Sequence, residues 1–456
     1  MLYKLIIFLF LLSTSYTQSF FYKTIGNTNF SKSPHSLGLG NNIGLVSKNG
    51  YSLNGNPANL INKEKRFTIY FNNTYEGISE RRSFILKDSF GDFLTDADYV
   101  VNLNRNFQFA SGITINNIGY NKLISIGLSY GPIINLNSTY REEVRGDVEC
   151  PDGIPCTRDV LLGYHNFRTN GNINAYTLGI ATSLSNIKVG LSVINTLSST
   201  INYTFSTDTL HTELSNLSPI QKEDDMVKIN QSNSFKLGII YDNKNGIDIS
   251  YFYHNPLYLN MNGDYPIGYF DNYSGLIKYI SNHDSLQIDN DNLIKLYKTQ
   301  SQIMLPTRNG FSIGYTPTNF QKTSIYFEFV ENKYNKPILV VSDDLIDSNM
   351  TNIPDYTLNN YNELKFGIEY STYSNSVLRV GLSYNQLPIP SFNSVSILTF
   401  GYGKNINNIN LDFGTSYQYN NYRYPDVFPV EGDPRPDYDN VKESIFNIST
   451  SIQYSF

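Results

Sequence analysis

The last stretch of the chain reads Phe446, Asn447, Ile448, Ser449, Thr450, Ser451, Ile452, Gln453, Tyr454, Ser455, Phe456. Side chains two apart share one face of a β-strand. Phe446, Ile448, Thr450, Ile452, Tyr454 and Phe456 therefore form one surface, and the intervening Asn, Ser and Gln residues form the other. One surface is apolar with aromatic ends; the other is polar and uncharged. Just upstream, Leu411, Phe413, Thr415, Tyr417 and Tyr419 alternate in the same way with Asp412, Gly414, Ser416 and Gln418. The same period of two recurs over residues 124–130, 176–180, 189–193, 237–241, 247–253, 311–315, 364–370 and 378–384.

A soluble β-sandwich alternates too, so other features must choose the solvent. The polar face is built from Gly, Ser, Asn, Gln and Lys, which suits a wet lumen better than the charge-dense outside of a soluble protein. Several segments approach the ~9–11 residues that cross a bilayer at a tilt, against ~5–6 for a globular strand. Phe456 ends an alternating strand, and outer-membrane barrels resemble this because their assembly machinery reads such a terminus; Tyr454 and Phe456 are the candidate signal. The 37 Tyr and 28 Phe, with no Trp, supply the rings that settle at membrane interfaces. Strand edges cannot stay unpaired in lipid, so the strands must close on themselves. The expected fold is all-β, a closed antiparallel transmembrane β-barrel. Between 14 and 16 segments are plausible, about 14 being favoured among the even numbers such barrels use. Polar stretches at residues 137–172, 206–230, 261–306, 342–361 and 422–440 read as extracellular loops, the second carrying a short helix around residues 218–226.

At the other end, Lys4 precedes an unbroken apolar run at residues 5–12 and the small polar residues Ser13, Thr14 and Ser15. This is the pattern of an export signal, expected to be residues 1–17. Only 16% of residues are charged and the formal net charge is -6, so no basic field exists to hold a nucleic acid. Cys150 and Cys156 enclose Pro151, Asp152, Gly153, Ile154 and Pro155. In an oxidising compartment they are expected to form a local disulfide; the alternative, a metal site, has His165 as its only close further ligand.

Gly127, Leu128, Ser129, Tyr130 and Gly131 match the Gly-x-Ser-x-Gly elbow of hydrolases, which needs a strained turn between strand and helix. Here the five residues lie within an alternating strand and Pro132 follows, so the match is read as chance and no enzyme is expected. The five histidines are scattered and none pairs at metal-ligand spacing. Asp284, Asp289 and Asp291, and Asp433, Asp437 and Asp439, lack the spacing of a calcium loop and read as solvated surface. No metal and no cofactor is expected.

Residues 20–66 are different. Ser36, Leu37, Gly38, Leu39, Gly40, Asn41, Asn42, Ile43 and Gly44 lead through Gly50 and Gly55 to Asn56, Pro57, Ala58, Asn59 and Leu60. Gly at this density, with Pro, resists a long helix and allows tight turns. The segment looks like a small N-terminal plug inside the lumen. It resembles the plug of the FadL family of outer-membrane hydrophobic-compound transporters, in which a Gly-rich run precedes an Asn-Pro-Ala-Gly-Leu-like motif. The matching positions are Asn56, Pro57, Ala58 and Leu60, with Asn59 standing where the family usually has Gly. Further along, residues 235–241 with 247–256 resemble the family's mid-barrel hairpin, and residues 378–384 with Pro388 and Pro390 a later one.

The resemblance implies a signal peptide (1–17), a plug or hatch (18–66) and a barrel with long extracellular loops (67–456). It also implies sideways release through a kinked strand, for which residues 107–116 with Gly112 are the candidate. The function it implies is passive, plug-gated diffusion of hydrophobic small molecules such as long-chain fatty acids across the bacterial outer membrane. The alternative is a FadL-like barrel acting as a secretion-system or surface-protein carrier component. Leu37, Leu39 and Ile43 are the candidate apolar lining where plug meets wall, and Lys365 and Arg379, on the expected lumen face, the candidate headgroup partners. Expected partners are the hydrophobic molecule or fatty acid, outer-membrane lipids and the barrel assembly machinery.

Overall fold

The computed structural model describes residues 27–28, 33–46, 49–62, 65–87, 90, 92–119, 123–149, 155–210, 222–243, 245–263, 267–270, 277–280, 297–300, 302–317, 322–336, 339–341, 358–388, 394–425 and 438–456. The candidate signal peptide and Cys150 lie outside them, as do Asp284, Asp289, Asp291, Asp433 and Asp437. Among the described residues no helix is long and apolar enough to cross a membrane.

Fourteen strands form one antiparallel ring. The first seven are β1 (Phe67–Lys87), β2 (Phe93–Ile118), β3 (Ile124–Asn135), β4 (Asn172–Leu184), β5 (Ile187–Thr196), β6 (Asn233–Asn243) and β7 (Ile247–His254). The other seven are β8 (Thr307–Tyr315), β9 (Thr323–Lys333), β10 (Tyr361–Ser371), β11 (Ser376–Asn385), β12 (Val395–Ile406), β13 (Ile409–Pro425) and β14 (Tyr438–Ser455). Each pairs with its neighbour in sequence, and β14 pairs with β1 from Thr68↔Ser455 to Ser83↔Asn440. The backbones of Phe67 and Phe456 exchange N–H···O bonds of 2.8 and 2.9 Å at this seam, and their rings meet at 4.9 Å. The hairpin resembling the family's mid-barrel element is β6–β7, in register from Lys236↔His254 to Asn243↔Ile247.

The alternation read from the sequence becomes two environments. On β6, Phe235, Leu237, Ile239 and Tyr241 point outward and are exposed, whereas Ser234, Lys236 and Ile240 are buried in the lumen. On β11, Leu378, Val380, Leu382 and Tyr384 face out and Arg379, Gly381 and Ser383 face in. A continuous belt of exposed apolar side chains around a closed ring is tolerable only against lipid.

Short turns join the strands at the end where β1 begins and β14 finishes; the long connections are all at the other end, as outer-membrane barrels place their extracellular loops. The described residues of three of these connections include strands. Ser138–Glu149 and Pro155–Asn170, Ser199–Thr209 and Lys222–Ile229, Leu257–Gly263 and Gln302–Leu305 join in a six-stranded sheet above the barrel. The helix expected around residues 218–226 is corrected by this: Lys222–Ile229 is a strand, paired from Lys222↔Ser206 to Ile229↔Ser199. Its Val227 and Ile229 are fully buried while Met226 is exposed, a period of two that helical spacing cannot supply.

Candidate functional site

Residues 33–46 and 49–62 lie inside the ring. Ser33 caps a one-turn helix, Pro34–Leu37, by accepting from the Ser36 N–H at 3.0 Å. Asn56 caps the 3₁₀ turn Pro57–Leu60: its Oδ1 accepts from the Ala58 N–H at 3.0 Å and its Nδ2 donates to the Gly44 carbonyl at 2.9 Å. Pro57 sits at the first position, where its missing N–H costs nothing. Asn59, in the Gly position of the family motif, keeps this turn and donates from Nδ2 to the same Gly44 carbonyl at 2.8 Å. The Asn-Pro-Ala-Asn-Leu motif thus ties the two halves of the plug together.

The plug rests on a wall made of glycine. Gly127 faces Gly179, Gly190 faces Gly238, Gly367 faces Gly381 and Gly401 faces Gly414 across adjacent strands. A Cβ on Gly190 would lie 2.4 Å from the Ala58 nitrogen, and one on Gly381 2.1 Å from the Gly40 nitrogen. Only a wall without side chains lets the plug backbone come this close.

Buried charge on the same strands and their neighbours also holds the plug. Glu328, fully buried on β9, accepts from the plug N–H groups of Ile43 and Gly44 at 2.9 and 2.6 Å and from Ser312 Oγ at 3.0 Å. Lys365 Nζ lies 3.0 Å from Glu328 and 2.9 Å from Glu363, which Arg308 also holds at 3.0 Å. Arg379 is 2.8 Å from Glu369 and 2.7 Å from Asp412, and plug residue His35 is 2.9 Å from Glu369. Burial, with the Arg379 charge beside it, holds the His35 pKa below its ordinary value.

Lys365 and Arg379 therefore face the lumen as the alternation implies, and both are engaged by carboxylates that brace the plug. Leu37, Leu39 and Ile43 are each no more than 2% exposed. Leu39 packs on Gly367 and Gly381, so it wedges plug against wall. Leu37, Leu39 and Ile43 belong to the plug, Lys365 and Arg379 flank it from the wall, and none of the five lines the open space described next.

That space lies where two ladders part. β1 and β2 stay paired along their length, from Phe67↔Ile115 to Lys87↔Phe93. β2 and β3 pair only as far as Ser111↔Tyr130. Next on β3 come Gly131 and Pro132, and the β3–β4 register slips between Pro132 and Ile134. Pro has no N–H to give the ladder and is confined to edges and bulges of sheets. The kinked strand is thus β3. The expectation for residues 107–116 is corrected: Gly112 is paired with Tyr70 on one side and Ser129 on the other, and its missing Cβ makes room for the Tyr70 ring. On the edge of β3 that β2 leaves, Asn27 and Thr28 pair with Asn135 and Ile134.

Between the parted strands and the plug is a recess. The plug contributes Tyr51 and Asn54, and β1 contributes Tyr70, Asn72 and Thr74. Gln108, Phe109 and Ala110 line it from β2, and residues 129–132 from β3. Tyr51 and Tyr70 meet ring to ring at 4.2 Å. Phe109 is 68% exposed and Tyr130 38%, on the lipid face, so the recess reaches from lumen to outer surface. Its lining includes no His and no carboxylate to activate Ser129, which sits mid-strand between Gly112 and Thr177. At its upper end Ile133 and Ile134 join a large buried apolar cluster with Leu136, Phe167, Ile201 and Val227 beneath the six-stranded sheet. A packed apolar cluster at the barrel mouth thus adjoins, past the β3 bulge, the recess in the wall.

No family model and no curated protein matches the sequence. Solved structures do match. A Pseudomonas aeruginosa FadL homologue superposes over 94% of this chain and 100% of its own, with a TM-score of 0.56 at 13% identity. The chain has a FadL-like fold. Two further FadL-like matches are the monoaromatic hydrocarbon channel CymD, with a TM-score of 0.53 at 13% identity, covering 94% of this chain and 99% of that one, and the toluene transporter TodX of P. putida, with 0.55 at 11%, covering 95% and 99%. A FadL-like barrel with a lipid-facing belt is an outer-membrane protein. Identities this low carry a fold, and function must be argued from the site.

Asn72, Thr74, Gln108 and Pro132 were not singled out as site residues from the sequence. The signal for one of them was present: Pro132, directly after Gly131 in an alternating run, marks a bulge or a broken ladder.

Proposed function

We propose that this FadL-like barrel passes hydrophobic small molecules from outside into the outer membrane by passive diffusion, with exit sideways through the slot between β2 and β3. The recess between plug and wall, which reaches the lipid face beside the buried apolar cluster at the barrel mouth, carries this reading. A molecule leaving there enters hydrocarbon without crossing water, and the seated plug closes the direct path to the periplasm. The lumen wall away from the recess is braced by buried charge, whereas the recess sets the rings of Tyr51 and Tyr70 and the lipid-facing Phe109 beside its amides and hydroxyls. That similar solved structures include a monoaromatic hydrocarbon channel and a toluene transporter supports the same substrate class. The plug acts as a fixed floor, held by Glu328 and the glycine wall, and its Asn27–Thr28 strand closes the upper end of the slot.

Uptake of labelled toluene and decanol by cells with an otherwise impermeable outer membrane tests this. The wild-type protein is expected to raise the initial rate above vector controls. Ala110→Trp, which fills the recess, is expected to bring it back to the control. Wild-type cells no faster than controls would refute the proposal.

A further inference from the structure

We infer that the outer face of the wall formed by β13, β14, β1 and β2 holds the phosphorylated headgroup of an outer-leaflet lipid, a site that needs only the barrel and not the passage of a solute. These are the longest strands of the ring among the described residues, with 17, 18, 21 and 26 residues. A tilted strand crosses the membrane in ~9–11 residues. Counted up from Phe67, Ile115, Ile409 and Phe456, the apolar belt ends at Tyr75, Phe107, Tyr419 and Phe446. The rings of Tyr75 and Phe107 meet there at 5.1 Å, and Tyr419 and Phe446 are exposed, as an interfacial girdle requires. Side chains above these on the outward face stand in the headgroup layer and beyond.

That face is cationic. Arg105 on β2, Arg81 on β1, Lys442 on β14 and Arg423 on β13 point outward, next to the inward-facing, buried Asn104, Arg82, Val441 and Tyr422. Lys442 stands directly opposite Arg81 across the seam. Arg423 lies diagonal to Lys442, because Asn421 is opposite Lys442 and Asn440 opposite Arg423. Like charges set opposite one another on a sheet repel, and an anion between them removes that cost. Among the described residues two carboxylates pair with this group: Asp98 lies 3.7 Å from Arg81 and Asp96 3.5 Å from Lys442. Both pairs are long and exposed, so they contribute little and give way to a stronger anion. Arg105 and Arg423 have no ion-pair or hydrogen-bond partner among the described residues.

Charge and height together select the ligand. Four cations against two carboxylates leave this face positive on a chain whose formal net charge is -6. A phosphate monoester, with ~1.5–2 negative charges, matches that excess, and Arg grips phosphate oxygens in pairs. The patch is continuous with the lipid-facing belt through Tyr75 and Phe107, so a molecule whose chains lie against the belt brings its headgroup to these side chains without leaving the membrane. Leu103 and Val101, 58% and 65% exposed, share the face, Val101 directly opposite Arg81. A lipid seated on the cations therefore covers apolar surface as well.

The folded, detergent-solubilised barrel titrated with bisphosphorylated lipid A tests the site, with retained lipid measured by native mass spectrometry. The wild type is expected to retain it. Arg81→Gln combined with Lys442→Gln and Arg423→Gln should weaken retention on the order of a hundredfold, at about fivefold per cation. Removing both phosphates from the lipid should weaken its retention by the wild type comparably. Lys65→Gln combined with Lys188→Gln and Lys404→Gln, an equal loss of charge at the short-turn rim, should retain lipid A as the wild type does. Gel mobility of unheated samples reports an intact ring in each variant. A wild type that retains no lipid A, a first triple variant that retains it undiminished, an equal loss in the rim variant, or dephosphorylated lipid held as tightly would each overturn the site. So would a dimer that forms without lipid and is lost in the first triple variant, which would give this face to a second copy of the chain.

Discussion

Gly190→Ala tests whether the plug is seated on the glycine wall. The new Cβ would lie 2.4 Å from both the Ala58 nitrogen and the Pro57 carbonyl carbon, and 2.6 Å from the Pro57 oxygen. These are backbone atoms, so no side chain can swing away; the 3₁₀ turn Pro57–Leu60 must retreat by about 1 Å to restore an ordinary contact. Overpacking of this kind costs roughly 1–3 kcal/mol. The ring stays folded whether the plug is docked or not, so the strand preference of Ala over Gly cancels. A loss of roughly 1–3 kcal/mol raises the undocked fraction of the plug about fivefold to a hundredfold or more. Limited proteolysis of the folded, detergent-solubilised barrel reads that fraction, with gel mobility of unheated samples reporting an intact ring. Gly77→Ala, on the lipid face of β1 where the nearest contact is the end of the Tyr75 side chain, is the control. Plug cleavage at the wild-type rate in Gly190→Ala would refute the seat, since a plug that tolerates a methyl group there is not in contact with the wall.

The remaining predictions concern the anchors. Lys365→Met leaves Glu328 buried beside Glu363 without their shared cation and should cost about 3–5 kcal/mol in chemical unfolding of the folded protein, because a buried pair is broken from one side. A loss below about 1 kcal/mol would mean the pair is solvated. Asn56→Ala removes the cap and the bond to the Gly44 carbonyl, and should cost roughly 1–2 kcal/mol and increase plug proteolysis while leaving ring mobility unchanged. His35 has a pKa held below 6.5, so the undocked plug takes up the proton first. Docking is then fully stable above pH 6.5 and weakens as pH falls below it. Plug proteolysis measured against pH should rise on that side, and His35→Gln should flatten the rise; a slope confined to the alkaline side would contradict the assignment.

The ring was legible because lipid enforces a strict rule. Each strand must show one greasy face, and Phe235, Leu237, Ile239 and Tyr241 or Leu378, Val380, Leu382 and Tyr384 display it in four consecutive alternations. Above the membrane that rule lapses. Lys222–Ile229 begins with Lys222, Glu223, Asp224 and Asp225, which reads as a polar loop, and it is a strand because its register partner Ser199–Thr209 lies in the same mouth-covering sheet. The candidate site was legible in its parts and not in its arrangement. The alternation turns Lys365 and Arg379 inward, but sequence gives no sign that Glu328, Glu363, Glu369 and Asp412 converge on them from β9, β10 and β13. The slot depends on two ladders parting after Ser111↔Tyr130, a tertiary event announced locally only by Gly131 and Pro132.

The sideways exit is tested most directly by a reversible staple across it. An ideal Cβ on Gly131 lies 2.8 Å from the Ala110 Cβ, so Ala110→Cys with Gly131→Cys can bridge β2 and β3 at the slot after a small shift. With Cys150 and Cys156 replaced by Ser, toluene uptake is measured oxidised and again after reduction. The account predicts uptake near the vector control when oxidised and recovery on reduction. Equal uptake in the two states, with the disulfide verified, would contradict it and place the path elsewhere.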